Sequence, residues 1–333
     1  MKPYTYAFLA AAAACGMAYS ADTAYTTPVG YTTQALAANT FNLVGFNVLT
    51  PTVAAGDLTG VSGATLSDSG VDFTTLLTAG KTYVLDIKDG PGTADGTVQE
   101  FVTWSGSDIT LPSAVAGVAV GDKYSIRQAP TLQATFPVGF LAGSVSATNA
   151  DKVWVPNGSG GYTKYWYKIT LPPIGWHTTG TGLDDTGVVT ADVPLIYIDG
   201  IFVEKKGVAK DLVLSGEVKT TGSNVLVNTG FNPVGITPPV GLTLFTSGLQ
   251  GDIAGSVSAT NADKVWVPNG LGGYTKYWYK ITLPPIGWHT TTTGLDDTGV
   301  VATDVTLTPA IFIERKGASK VVTMDVPSSY SSL

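Results

Sequence analysis

The chain has 333 residues, of which 13% are charged, where an ordinary soluble domain carries about 25%. The net charge is −7 and Lys and Arg cluster only in pairs, which argues against a nucleic-acid partner. One Cys and two His exclude Cys/His zinc sites, iron–sulfur clusters and a disulfide framework. Past the first twenty residues no run of 18 apolar residues occurs, so no transmembrane segment is predicted there.

The first twenty residues have the pattern of a secretory signal peptide. Lys2 is a minimal positive start, residues 4–14 are apolar, and Ala18-Tyr19-Ser20 is a small-x-small cleavage site. The alternative is lipidation at Cys15, although Ala12 stands where a Leu is usual. We therefore expect an exported protein, at the cell surface or extracellular, with the periplasm as a further option.

The rest of the chain contains an internal duplication. Residues 143–189 match residues 255–301, and only Ser159/Leu271 and Gly180/Thr292 differ. Downstream, residues 202–207 align with residues 312–317. Upstream, Gly45-Phe46-Asn47 aligns with Gly230-Phe231-Asn232. The repeat indicates two copies of one structural unit.

The first copy contains an insert, residues 52–130, which has no counterpart in the second. The insert alternates short apolar runs with turn signals, which predicts five or six strands in a small β-barrel or sandwich. Because insertions are tolerated best in surface loops, we expect its removal to leave the rest folded. The predicted parts are the signal peptide 1–20, unit 1 (21–51 plus 131–211), the insert, and unit 2 (212–333).

The repeated segments are predicted to be β-structure. Residues 152–156, the turn at Asn157-Gly158 and residues 162–169 read as strand, turn and strand. No window has capped, helical spacing of apolar residues. The predicted fold class is all-β: two duplicated β-sandwich-like units, the first interrupted by the small barrel.

Several segments carry a resemblance to a known family. They are Thr27-Pro28-Val29-Gly30-Tyr31 and residues 56–70, 118–127 and 130–137. With the signal peptide, they resemble an uncharacterised family of exported, paralogous verrucomicrobial proteins, from about Ala21 to Lys320. Family members have an F-D-N-like turn and a W-R-K-like segment in each unit, where this chain has residues 154–157 and 175–177. The resemblance implies export and an all-β build, and carries over no catalytic residue.

Two acidic motifs are candidate chemical sites. Asp185-Thr186-Gly187 and its copy at Asp297 resemble the paired motifs of pepsin-like proteases, but each follows Leu-Asp and precedes Val, so an Asx-turn is favoured. Asp184-Asp185 and its copy lack the spacing of strong calcium loops. His177 and His289 are expected to be structural. No catalytic residue, metal or cofactor is predicted.

The aromatic residues are the most unusual feature. In residues 162–169, Lys164, Trp166 and Lys168 share one strand face, and Tyr165, Tyr167 and Ile169 share the other. The second face is the more continuous apolar one, so we expect Trp166 and its copy to point outward. The predicted contact surface comprises Tyr162, Trp166 and Trp176 with their copies Tyr274, Trp278 and Trp288.

These observations leave two functions from different classes. The first is a non-enzymatic structural protein that forms homo-oligomers or polymers through charge-poor β surfaces. The second is a glycan-binding adhesin that uses the duplicated Trp and Tyr residues as two equivalent sites.

Overall fold

The structure, a computed structural model, describes residues 27–158, 160–238, 241–270 and 272–332. The proposed signal peptide and Cys15 lie outside these residues. The described chain is all-β, as predicted, with three single-turn helices and a short 3-10 helix. Among the described residues no helix has the length and apolarity needed to cross a membrane.

The elements follow one another in this order: β1 (Val29–Leu36), β2 (Phe41–Val44), β3 (Thr52–Asp57), β4 (Gly60–Ser62), β5 (Thr65–Ser67), α1 (Phe73–Leu76), β6 (Tyr83–Ile87), β7 (Val98–Phe101), β8 (Thr103–Ser105), β9 (Asp108–Thr110), β10 (Lys123–Gln128), α2 (Leu132–Thr135), β11 (Lys152–Pro156), β12 (Tyr162–Lys168), β13 (Gly175–Thr179), β14 (Gly187–Val188), β15 (Ile201–Glu204), β16 (Lys210–Glu217), β17 (Ser223–Val227), β18 (Gly230–Gly235), α3 (Leu249–Asp252), β19 (Lys264–Pro268), β20 (Tyr274–Lys280), β21 (Gly287–Thr291), β22 (Gly299–Val300), β23 (Ala310–Arg315), β24 (Lys320–Met324) and the 3-10 helix Ser328–Ser332.

Each unit packs a six-stranded antiparallel sheet against a two-stranded ribbon. In unit 1 the sheet order is β14-β13-β12-β11-β15-β2, and the ribbon pairs β1 with β16. In unit 2 the order β22-β21-β20-β19-β23-β18 repeats this arrangement, and β17 pairs with β24. Buried side chains from sheet and ribbon, such as Val153 and Leu212 in unit 1, fill the space between them, which is the principal source of stability in a sandwich.

The strand pairing moves the unit boundary and corrects one alignment. β16 crosses the predicted boundary at 211/212 and pairs with β1, so unit 1 extends to Glu217. Phe41 pairs with Glu204 as Phe231 pairs with Glu314, so the equivalent of Phe231 is Phe41 and not Phe46. The dipeptide Phe-Asn occurs twice in this part of unit 1, and only the cross-strand register identifies the true repeat.

The insert forms two four-stranded sheets, in the orders β3-β10-β6-β7 and β4-β5-β9-β8, around a core of its own. Its eight strands exceed the five or six predicted. No strand pairing joins the two sheets in the described chain, so the insert is a sandwich and not a closed barrel.

The insert is not independent of unit 1. Val84 and Val98 of the insert belong to the hydrophobic core of unit 1. Arg127 lies 3.0 Å from Glu217, and Asp86 accepts hydrogen bonds at 2.7 and 2.8 Å from Lys219, two residues past the end of unit 1, with all four side chains buried. Because separated charges would remain buried and unpaired, the expectation that the insert can simply be removed needs revision.

Candidate functional site

The predicted division of β12 into two faces is confirmed. Tyr165 and Tyr167 point to the inner side and pack against the core of unit 1. Tyr162, Lys164 and Trp166 alternate with them and lie on the outer face. The same alternation occurs in β20, so each unit has an outer sheet face with the same side chains.

The expected exposure of Trp166 and Trp278 is wrong. Both are on the outer face but have no exposed surface, because the segment before β11 or β19 folds over them. Ala147 and Ala150 pack on Trp166 and form a second small core outside the sheet. A covering loop of small residues, which strand alternation cannot reveal, thus turns an outer-face ring into a core residue.

Trp176 and Trp288 are also core residues, on the inner face. Trp176 is 6% exposed and contacts Tyr167 edge to face at 5.6 Å between ring centroids. Trp288 is 3% exposed in the equivalent position. Four of the six predicted contact residues are therefore buried, and the predicted contact surface is wrong for these four tryptophans.

The remaining two, Tyr162 and Tyr274, are half-buried members of a larger cluster on the outer faces. We call this cluster the aromatic patch; its eight rings are Phe41, Trp154, Tyr162, Phe202, Phe231, Trp266, Tyr274 and Phe312. Strand register explains it, since Trp154 pairs with Phe202 and Phe41 lies on the next strand. The equivalent rings Phe202 and Phe312 meet at 5.4 Å and join the two halves.

Two features define what the aromatic patch presents to solvent. Phe41 and Phe231 are 46% and 58% exposed. Lys164 Nζ lies 4.5 Å from the Trp154 ring centroid, and the copy in unit 2 has the same geometry. A lysine ammonium thus covers one indole face in each half, which is a cation–π arrangement. Phe41 and Phe231 are the most accessible rings of the patch.

A buried histidine lies further along the same face. His177 Nδ1 is 2.8 Å from Asp185 Oδ1, and Nε2 is 2.9 Å from the carbonyl oxygen of Pro173. Each ring nitrogen of His177 therefore faces one oxygen atom, one from a carboxylate and one from a backbone carbonyl. Lys168 bonds the other carboxylate oxygen of Asp185 at 3.2 Å. The arrangement ties the loop before β13 to the loop before β14.

The second unit repeats this histidine contact. His289 lies 2.8 Å from Asp297 and 2.9 Å from the Pro285 carbonyl oxygen. The hydrogen bond from His177 holds the pKa of Asp185 below its usual range. The sequence analysis did not identify an Asp partner for either His, because each Asp lies across a strand pair from its His.

The Asp-Thr-Gly motifs are Asx-turns, as predicted. The backbone N–H of Gly187 donates to Asp185 Oδ1 at 3.2 Å, and Gly299 repeats the contact with Asp297. The two aspartates lie beside different sheets and each bonds within its own unit, so they do not form the proton-sharing pair of an aspartic protease.

The neighbouring acidic residues are likewise engaged within their loops. Asp184 accepts hydrogen bonds from the hydroxyls of Thr179 and Thr181. Within the part of the chain that the structure describes, no three His, Cys, Asp or Glu side chains gather in a metal-binding cluster.

Comparison with known proteins yields no match for this chain, whether to family models, to curated proteins or to solved structures.

Proposed function

We propose that this protein is a non-enzymatic, exported structural protein that self-associates through the aromatic patch. The observation that carries the proposal is the continuity of aromatic rings across both units, joined through the buried Phe312, with Phe41 and Phe231 the most accessible members. Apolar patches of this kind on soluble proteins mark interaction surfaces, and aromatic residues are enriched at the centres of such contacts.

The arrangement of the aromatic patch favours a second copy of the chain as the partner. Equivalent rings are placed on both sides of the Phe202–Phe312 contact. A two-fold interface brings the same surface of two copies into contact, and aromatic rings of one copy can pack against aromatic rings of the other. The low content of charged residues keeps the repulsion between copies small.

The same geometry is less suited to glycan binding, the alternative function. A sugar ring stacks on a free aromatic face, and in this patch the Lys164 and Lys276 ammonium groups lie over the faces of the two indoles. Export to the cell surface is part of the proposal and rests on residues 1–20 and on the resemblance to the exported verrucomicrobial family.

The test is the mass of the purified mature chain in solution over a range of concentrations. We expect the wild type to form dimers or larger assemblies. The double variant Phe41→Ser, Phe231→Ser should shift toward monomer, because it removes the two most exposed rings and touches no core.

Tyr31→Ser is the matched control, since Tyr31 is 76% exposed but lies on the β1–β16 ribbon, outside the patch. Its assembly should equal that of the wild type. A wild-type chain that stays monomeric at all concentrations would overturn the proposal, and retention of that monomer on a glycan array would support the adhesin instead.

A further inference from the structure

A cavity of about 540 Å³ opens where the insert, unit 1 and unit 2 meet. The insert contributes Glu100 at the rim. Unit 1 contributes Tyr162 and Asp199, and unit 2 contributes Phe231 and Asn232. The volume lies within the range of pockets that hold small molecules.

Asp199 is the unusual residue of this cavity. Among the described residues, no hydrogen bond or ion pair to its carboxylate is found. Burial, with a smaller contribution from the Glu100 carboxylate, raises the pKa of Asp199 to about 7. Burial and the nearby Asp199 carboxylate in turn raise the pKa of Tyr162 to about 12. The cavity therefore combines two carboxylates, and no Lys or Arg of the described ranges forms an ion pair with either of them.

The repeat shows that the fold does not require a carboxylate at this position. Residues 202–207 and 312–317 align, which makes Pro309 the equivalent of Asp199. In unit 2 the Pro309 carbonyl oxygen packs so closely on Gly45 that a Cβ atom there would lie 1.8 Å from it. In unit 1 the backbone of residues 197–199 packs on Gly235, where the nearest atom to an added Cβ would be the Tyr197 carbonyl oxygen at 2.4 Å. A backbone segment thus packs on a glycine at both positions, and only the unit 1 segment carries a carboxylate.

We propose that this cavity binds an organic ammonium ion, with the charged nitrogen beside the Asp199 carboxylate and against the rings of Tyr162 and Phe231. A carboxylate next to aromatic side chains is the combination that recognises alkylammonium groups. A hard metal ion is the poorer fit, since Ca²⁺ takes six to eight oxygen ligands, and the described residues include no cluster of three His, Cys, Asp or Glu side chains at this cavity.

The rim carboxylate adds a preference for diamines. Glu100 is exposed at the cavity mouth, and a second ammonium group on a short alkyl chain reaches toward it while the first lies beside Asp199. The ligand class is thus a short aliphatic diamine, with the corresponding monoamine as a weaker ligand.

The experiment titrates the full mature chain with 1,4-diaminobutane, butylamine and the uncharged isostere 1,4-butanediol, by calorimetry. The diamine should bind at least about tenfold more tightly than the diol. Asp199→Asn should weaken diamine binding by about tenfold or more, and Glu100→Gln should abolish the preference for diamine over monoamine. Asp211→Asn, which changes an exposed carboxylate on β16, is the control and should have no effect.

A pH series provides a second readout. The charged and titratable groups near Asp199 are Glu100 and Tyr162, and Tyr162 stays neutral throughout. Because the ammonium ion binds the ionised form of Asp199, affinity should rise about tenfold from pH 6 to pH 8 in the wild type and stay flat in Asp199→Asn.

Equal binding of diamine and diol, an unchanged affinity in Asp199→Asn, or no binding of either amine would overturn the inference. Repeating the titration on Phe41→Ser separates diamine binding from self-association, because Phe41 belongs to the aromatic patch but does not line the cavity. Diamine binding by a monomeric chain would leave this inference standing and the proposed assembly refuted.

Discussion

The two units contain nearly the same repeated sequence, once in a unit that carries the insert and once in a unit without it. Where the sequences match, the contacts match: His177 and His289 each lie 2.8 Å from their aspartates, and Lys164 and Lys276 each lie 4.5 Å above an indole. Local sequence and strand register are therefore sufficient to reproduce these contacts, whether or not an insert is present in the same unit.

Where the sequences of the two units differ, some equivalent positions keep the same contact and others do not. Lys205 bonds the buried Asp151 at 2.6 Å, and in unit 2 Arg315 bonds Asp263 at 2.5 Å. Both aspartates also accept backbone N–H bonds from the start of the loop that covers the outer-face tryptophan. In contrast, Asp199 and Pro309 share no role. This difference lies at the cavity, beside the insert that only the sequence of unit 1 contains.

The largest effect is expected when the insert of unit 1 is replaced by the short connection that unit 2 has at the same position. Replacing residues 52–130 in this way removes the partners of Glu217 and Lys219 and exposes part of the unit 1 core. One broken buried pair costs about 3–5 kcal/mol, and we expect a larger total loss in the free energy of unfolding.

Chemical denaturation followed by circular dichroism measures this loss. Adding Glu217→Gln and Lys219→Met to the deletion should restore part of the stability, because no unpaired charge then stays buried. A deletion as stable as the parent would show that the insert is energetically independent.

The next largest effect comes from the covered tryptophans. Trp166→Ala and Trp278→Ala should each lower the free energy of unfolding by about 3–5 kcal/mol, because each leaves a cavity under the covering loop. Trp154→Ala is the control on the same sheet face and should cost less, since that ring is half-buried. A loss below about 1 kcal/mol at Trp166 would mean that the loop does not seal the ring.

A moderate effect is expected from the buried histidines. His177→Gln and His289→Gln should each cost about 1–3 kcal/mol, because acceptors on two loops lose their donor. The units share no partner at these positions, so the two losses should add in denaturation experiments. A double variant with the loss of only one single variant would contradict this independence.

The hydrogen bond between His177 and Asp185 also affects how the free energy of unfolding changes at acidic pH. The pKa of Asp185 is lowered in the folded chain, chiefly by the His177 hydrogen bond, so the unfolded chain binds the proton more readily. This contribution to stability is present above the ordinary carboxyl pKa and disappears as pH falls through the lowered value. Unfolding measured across acidic pH should therefore show a shallower loss in the His177→Gln, His289→Gln variant than in the wild type.

The smallest effect concerns the lysines above the indoles. Lys164→Gln and Lys276→Gln should each cost about 0.5–1 kcal/mol, since each removes a partly exposed cation–π contact. The two costs should agree because the geometries agree, and thermal denaturation of both variants checks this. A marked difference would show that the insert influences the aromatic patch.

Much of the fold follows from the sequence. Alternation along residues 162–168 predicts which face of β12 meets the core, and the Asx-turns at Asp185 and Asp297 follow from Asp-Thr-Gly before a strand. These features depend on side chains a few residues apart, which is the range over which strand and turn preferences act.

The candidate site was predicted only in small part. Of the six expected contact residues, Tyr162 and Tyr274 belong to the aromatic patch, and its other members come from strands far apart in sequence. Trp154 alternates with two valines on β11, a pattern that could have placed it on the outer face. Phe41 carried no comparable signal, because the Phe-Asn pair occurs twice in unit 1 and the sequence alignment matched Phe231 with Phe46 instead of Phe41.

The sequence by itself determined the all-β class, the duplication, the position of the insert and the faces of the repeated strands. Only the tertiary structure decided that Trp166 is covered, that eight rings form one patch, and that Asp199 lies in a cavity shared by three parts of the chain. The reason is that strand alternation is a local property of the backbone, whereas burial depends on which distant segment packs over a given face.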